Sequence, residues 1–301
     1  MLVLGFPDYQ EPSQRLATAL NVSSAIVDIH HFPDGESKVR LPIGLPDTVV
    51  LCRSLHHPND KLIELLLCAA QAREQGVRHL ALAAPYLCYM RQDRAFQPGE
   101  AVSQRIIGGF LAGLFDTVVT VDPHLHRIAH LEEAIPASRA IALNAAPLMA
   151  DFLRVRLDLP APGPLLIGPD EESEQWVRLI ALGCGADYAA GRKQRVDDRT
   201  VSIALPAVDF RNRTVVLVDD VVSTGHTLAT AARQIGALGA SAIHCLVSHA
   251  LFTEDAEEAL RQSGIKEIWS TDSIPHPTNA LALADLLAQA LPTPCPSRRS
   301  T

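Results

Sequence analysis

Short aliphatic and β-branched runs alternate along this 301-residue chain with segments whose apolar residues recur at helical spacing. Strands are predicted over 2–6, 25–31, 48–52, 79–84 and 117–121, and again over 165–168, 201–205, 214–218, 242–248 and 267–270. Helices are predicted over 12–20, 59–75, 101–114, 144–155, 172–182, 227 to 236 or 239, 254–263 and 280–291. Asn59 or Asp60 would cap the longest helix and Gly76 would stop it. Strands joined through helices pair in parallel, because each return must cross a face of the sheet. The expected fold is therefore α/β, with a parallel sheet flanked by helices in each half. Ligands of such sheets gather outside the carboxyl ends of the strands.

One stretch concentrates the chemistry: TVVLVDDVVSTGHTLATAA, from Thr214 to Ala232. A buried strand leads directly into Asp219 and Asp220, then into the small residues Ser223, Thr224 and Gly225, and Thr227 opens an Ala-rich helix. Loop amides, hydroxyls and the positive end of the helix dipole make an anion site. The carboxylates would repel a phosphate, but they suit hydroxyls such as those of a ribose. The plainer reading is a strand whose aspartates cap the next helix.

A formal charge of −8 argues against a general nucleic-acid binder, which needs a basic face. It leaves room for a small anionic substrate in a local basic pocket. No run reaches membrane-spanning length and no signal peptide is visible at the start, so a cytoplasmic protein is expected. The six cysteines (52, 68, 88, 184, 245 and 295) form no C-x-x-C pair and read as reduced core thiols.

Other polar clusters fall at predicted strand ends. Tyr89-Met90-Arg91-Gln92-Asp93-Arg94 places two guanidiniums, a carboxamide and a carboxylate in six residues, suited to phosphates and planar bases or to a salt-bridged solvated loop. His124 and Asp170 end strands in different halves and could share a divalent cation; Mg²⁺ needs few protein ligands beside phosphate and water. A lone His is more often structural, and no zinc-type spacing appears. The segment 191–199 reads as a charged loop, either solvated or a mobile flap whose Lys193 and Arg195 close over a phosphate chain. Phe32-Pro33-Asp34-Gly35-Glu36 is a turn, and 38–41 alternates like a strand beyond it.

Taken in order, FPDGE (32–36), YMRQDR (89–94), VDPH (121–124), GPD (168–170), RKQR (192–195) and VDDVVSTGHT (218–227) resemble ribose-phosphate pyrophosphokinase, the family that makes phosphoribosyl pyrophosphate (PRPP). VSHALFT (247–253) and STDSIP (270–275) extend the likeness over nearly the whole chain. The resemblance implies two phosphoribosyltransferase-like domains, 1–140 and 141–291, with 292–301 a disordered tail. It implies transfer of pyrophosphate from MgATP to ribose 5-phosphate, giving PRPP and AMP. Phe32, Asp34 and Glu36 would then form the adenine-binding turn, which in the family reaches a neighbouring subunit's site, and Arg91 and Gln92 would hold ATP. His124 and Asp170 would contact Mg²⁺, Asp219 and Asp220 the ribose hydroxyls, and Ser223, Thr224, Gly225, His226 and Thr227 the 5-phosphate. Lys193 and Arg195 match the catalytic flap.

A homo-oligomer, a dimer or a hexamer built of dimers, is also implied, with no nucleic-acid or membrane partner. The sequence departs from the family pattern in two places. His226 stands where a second small residue is frequent, and Glu171-Glu172-Ser173 follow Asp170 where better-known members carry glycines. The alternatives are a PRPP-consuming phosphoribosyltransferase, which would need no ATP site, and a non-catalytic regulatory subunit.

Overall fold

The computed structural model describes residues 1–125, 127–157, 163–171, 173–195 and 201–291; of residues 193–195 and 201–203 it describes the backbone. Two compact units result, Met1–Leu143 together with the segment from Ala282, and Asn144–Leu281.

In the first unit the strands are β1 (Leu2–Gly5), β2 (Ser23–Ile26), β3 (Asp28–His31), β4 (Ser37–Arg40), β5 (Thr48–Cys52), β6 (His79–Ala83), β7 (Thr117–Val121) and β8 (Arg139–Leu143). The helices are α1 (Gln10–Ala19), α2 (Pro58–Glu74) and α3 (Ser103–Leu114). Six strands form a sheet in the order β2-β1-β5-β6-β7-β8, every neighbouring pair parallel. Its central strands are buried along almost their whole length, as a sheet covered on both faces requires. Leu62 and Leu65 of α2 and Leu111 of α3 share one core with Leu4, Leu51, Leu80, Leu82 and Val118. Each such side chain, fully buried, contributes about 1.5–3 kcal/mol.

The expected strand 25–31 is two strands. It breaks at buried Val27, whose amide bonds the Gly5 carbonyl (2.9 Å), and the chain then turns into the antiparallel hairpin β3–β4. Helix α2 is capped not by Asn59 or Asp60 but by His57 in left-handed backbone (φ 49°), with Pro58 in the first turn, where a missing N–H costs nothing. Strand β8 was not anticipated.

The second unit contains α4 (Ala146–Arg156), β9 (Leu165–Gly168), α5 (Glu174–Cys184), β10 (Asp187–Ala190), β11 (Arg192–Arg195), β12 (Val201–Ala204), β13 (Thr214–Val222), α6 (His226–Ala237), β14 (Ala242–Ala250), α7 (Ala256–Gln262), β15 (Glu267–Thr271) and β16 (Asn279–Leu281). Its sheet runs β10-β9-β13-β14-β15-β16, again parallel throughout. Within the expected loop 191–199, Arg192–Arg195 form the first strand of the antiparallel ribbon β11–β12, where the β-branched Val201 and Ile203 stand opposite Arg195 and Lys193, and 196–199 lie outside the described residues.

The expected helix 280–291 begins as strand β16. Only α8 (Ala284–Ala290) is helical, and it packs against α1 in the first unit. The expected tail 292–301 and most of the Pro-rich 160–164 lie outside the described residues.

Five cysteines (52, 68, 88, 184 and 245) are buried as thiols, and Cys295 lies outside the described residues. Burial pushes the thiols of Cys68 and Cys88 up to about 12, which keeps them protonated and inert. Among the described residues no helix is long and apolar enough to cross a membrane.

Candidate active site

In the second unit β13 runs past the expected end at Val218, because β14 continues beside it (Asp219↔Val247, Val221↔His249, Val222↔Ala250). Asp219 and Asp220 are therefore strand residues on opposite faces, Asp219 half-buried and Asp220 buried. Each carboxylate accepts a neighbouring amide: Asp219 Oδ1 from Asp220 N–H (3.0 Å) and Asp220 Oδ1 from Val221 N–H (2.7 Å).

Ser223 and Thr224 lead to Gly225 in left-handed backbone (φ 70°), the residue before α6. A Cβ there would also meet the buried Leu260 at 3.1 Å, so glycine is required twice over. The N-cap position of α6 is Gly225, not either aspartate. The first-turn amides of α6 lack intrahelical partners and carry the positive end of its dipole. The helix opens at the exposed His226, one residue earlier than expected, and Thr227 is half-buried.

Asp170 follows β9 at the same edge and is buried. Its Oδ1 accepts the Ser173 amide (3.1 Å), and the Ser173 hydroxyl donates to the Asp170 carbonyl (2.7 Å). Gly168 makes room for this turn, since a Cβ would stand 2.3 Å from Ser173 Oγ. Glu171, which the sequence set beside the expected cation, instead pairs with Arg192 of β11 (3.1 Å), and both are exposed; Glu172 lies outside the described residues. The chain enters β11 from the carboxyl end of β10, with Gly191 N–H bonded to the Gly168 carbonyl (2.9 Å). Asp170, the strand holding Lys193 and Arg195, and 219–227 thus share one sheet edge.

In the first unit, residues 89–94 follow β6 and 122–124 follow β7, again at a carboxyl edge. Tyr89 (φ 61°) and Asp122 (φ 39°) both adopt left-handed backbone there. The Tyr89 hydroxyl donates to Asn59 Oδ1 (2.6 Å), while Arg91 is exposed and the Gln92 carboxamide donates to the Arg94 carbonyl (3.2 Å). His124 is half-buried. Asp93, its side chain 3% exposed, receives Arg127 Nη1 on both oxygens (2.7 and 2.6 Å). That pair ties the 89–94 loop to the loop of His124. Arg127 was missed in the sequence, although it stands three residues after His124.

The 32–36 turn lies outside the main sheet, at the tip of the β3–β4 hairpin. Phe32 N–H bonds the Glu36 carbonyl (2.8 Å), Gly35 N–H the Phe32 carbonyl (2.9 Å), and Glu36 N–H the Asp34 carboxylate (3.1 Å). Phe32 is 40% exposed, edge-on to His30 at 4.8 Å, with Lys38 Nζ 6.0 Å from its ring centre.

The chain is similar to known proteins along nearly its whole length. Residues 1–114 match the family described as the N-terminal domain of ribose phosphate pyrophosphokinase, and 203–287 match a phosphoribosyl synthetase-associated domain. The ribose-phosphate pyrophosphokinase of Methanopyrus kandleri is 35% identical over 293 residues, 97% of this chain and 98% of that one. That of Methanosarcina acetivorans is 32% identical over 97% of this chain and 99% of its own. The crystal structure of phosphoribosylpyrophosphate synthetase from Mycobacterium smegmatis shares the fold, with a TM-score of 0.79, 22% identity and 96% of each chain covered.

Proposed function

The chain belongs to the ribose-phosphate pyrophosphokinase family, and from that membership we infer its reaction, transfer of pyrophosphate from ATP to ribose 5-phosphate with formation of PRPP and AMP. The anomeric oxygen of the sugar forms a bond to the β-phosphorus while the bond from that phosphorus to the α–β bridging oxygen breaks. AMP leaves with that oxygen, and the hydroxyl proton passes to solvent. No covalent nucleophile is needed; positioning and charge stabilisation suffice. The regulatory-subunit and PRPP-consuming alternatives have no observation in their favour.

The observation that carries the assignment of residues is the edge of the second unit, where paired carboxylates run into a glycine-hinged helix N-terminus. There Ser223, Thr224, Gly225, His226 and Thr227 hold the 5-phosphate, chiefly through amides, while Asp219 and Asp220 accept the ribose hydroxyls. Lys193 and Arg195 close from β11 on the transferring phosphates. Phe32, Asp34 and Glu36 hold the adenine, and Arg91 and Gln92 the nucleotide.

Each of the two residues is of a type that Mg²⁺ accepts, Asp170 through a buried hard carboxylate oxygen and His124 through a ring nitrogen, with phosphate oxygens and water as the remaining ligands. When bound, the ion would draw phosphate oxygens together and offset their charge. We place the protein in the cytoplasm, as a homo-oligomer whose 32–36 turn serves a neighbouring subunit.

The test is product analysis with MgATP and ribose 5-phosphate. AMP and PRPP in equal amounts, and neither without the sugar, is the expected result. ADP as product, meaning γ-phosphoryl transfer, would refute the reading, and so would no turnover at all.

A further inference from the structure

A two-stranded hairpin is marginal by itself, and the 32–36 turn stands at the exposed tip of one. Something must fix it if it is to present a planar pocket to a base. We propose that Glu64 is a positioning residue that clamps both flanks of this turn and thereby sets the affinity for the nucleotide; the inference rests on the reading of 32–36 as the adenine-binding turn.

Glu64 lies on α2 with its side chain 1% exposed. One oxygen, Oε1, accepts His31 Nε2 (2.7 Å) and Ser37 Oγ (3.0 Å). His31 is the residue immediately before the turn and Ser37 the one immediately after it. A single atom therefore fixes both strands of the hairpin where the turn begins and ends.

The other oxygen is held from the core. Glu64 Oε2 accepts Arg53 Nη1 (2.5 Å), and Arg53 Nε donates to Asp8 Oδ1 (3.0 Å). Lys61 Nζ contacts Asp8 Oδ2 (2.8 Å) and donates to the Ser54 carbonyl (2.9 Å), and the Arg53 guanidinium lies 4.4 Å above the Phe6 ring. Two acids and two bases make a neutral set whose members come from the ends of β1 and β5 and the first turns of α2. Burial alone would raise the Glu64 carboxyl, but the hydrogen bonds from His31 and Arg53 outweigh it and bring it below the ordinary range. At neutral pH the group is an acceptor only, as the clamp requires.

A purely structural role would stabilise the unit without touching substrate affinity, so the test separates the hairpin end of the network from its core end. His31→Ala with Ser37→Ala removes both clamp bonds, while Glu64, Arg53, Asp8 and Lys61 stay paired. The His31 side chain is 63% exposed, so the fold has little to lose. KM for ATP should rise about tenfold or more, and KM for ribose 5-phosphate should stay within about twofold. The unfolding midpoint should fall modestly, because the buried Glu64 Oε1 loses two donors. His31→Gln alone, which keeps an N–H donor, should retain most of the affinity.

Phe32→Ala is measured alongside. If Phe32→Ala raises KM for ATP and the double variant does not, the clamp is refuted while the turn keeps its role. If neither moves it, the turn does not bind nucleotide and the inference falls with that reading. Equal loss of affinity for both substrates would refute positioning in favour of a structural part.

Discussion

Gly225→Ala isolates the geometric demand of the proposed phosphate loop. An alanine at φ 70° loses about 1–2 kcal/mol to contact between Cβ and carbonyl oxygen. Its Cβ would also meet three Leu260 side-chain atoms at 3.1, 3.3 and 3.4 Å. Leu260 is fully buried in the core with Leu228, Ile235 and Val247 and has nowhere to swing, so overpacking adds about 1–3 kcal/mol. The second unit should lose about 2–5 kcal/mol in total. With a urea slope of about 2 kcal/mol/M, its midpoint should fall by about 1–2.5 M. The chain's two tryptophans, Trp176 and Trp269, both lie in this unit, so fluorescence reports its unfolding alone. In the folded variant the first turn of α6 must shift, and KM for ribose 5-phosphate should rise while KM for ATP holds. A midpoint within about 0.3 M of the parent would show that loop and α7 yield at little cost, and the argument for glycine at 225 would fail.

Three further outcomes are expected. Arg127→Ala leaves the Asp93 carboxylate buried without the Nη1 that both its oxygens accept, so KM for ATP should rise and Arg127→Lys, which keeps one charged nitrogen, should restore part of it; unchanged steady-state kinetics would refute the link between the two loops. Lys193→Ala should lower kcat by about 10²–10³ with binding of both substrates nearly intact, and retention of most turnover would remove the flap role. Burial, helped by the charge of Lys61, lowers His56 to about 4, so the folded chain binds this proton less readily than the unfolded one, near about 6.5. Stability of the first unit should therefore fall as pH drops from about 6.5 to about 4 and this loss should level off below, and His56→Asn should remove that slope in amide exchange of α2 and β5.

The parallel sheets were legible because their strands are continuous apolar runs, such as Val49–Cys52 and Val215–Val218, which a covered sheet demands. Strand β8 was not, because Arg139-Ala140-Ile141-Ala142-Leu143 lies at the sheet's edge, where only some positions are buried. Arg192–Arg195 read as loop because their charge hides a backbone that pairs with Val201–Ala204. The motif residues could be picked out one by one, because polar clusters interrupt or follow the apolar strand runs. Their supports were not. Asp8, Arg53 and Glu64 meet only because β1 and β5 are neighbours in the sheet and α2 returns across it, and no local pattern encodes a contact between Asp8 and Arg53.

The electrostatics of the second unit favour one division of labour within the proposed site. A helix N-terminus offers about half a positive charge, and it fades within a turn. Asp219 and Asp220 bring two full negative charges within seven residues of the start of α6. On Coulomb grounds the dipole cannot outweigh them, so a phosphate could not be drawn to this edge by net charge. It can be held there by directed amide bonds, which act at contact distance, provided the carboxylates face something other than the phosphate. A ribose offers that arrangement in one molecule: hydroxyl donors for the carboxylates at one end and, several bonds away, a phosphate for the amides. On the proposed assignment the pyrophosphoryl group has no such relief, so its charge would be met by cations brought to the site, from β11 and from a metal ion, rather than by the sheet edge itself.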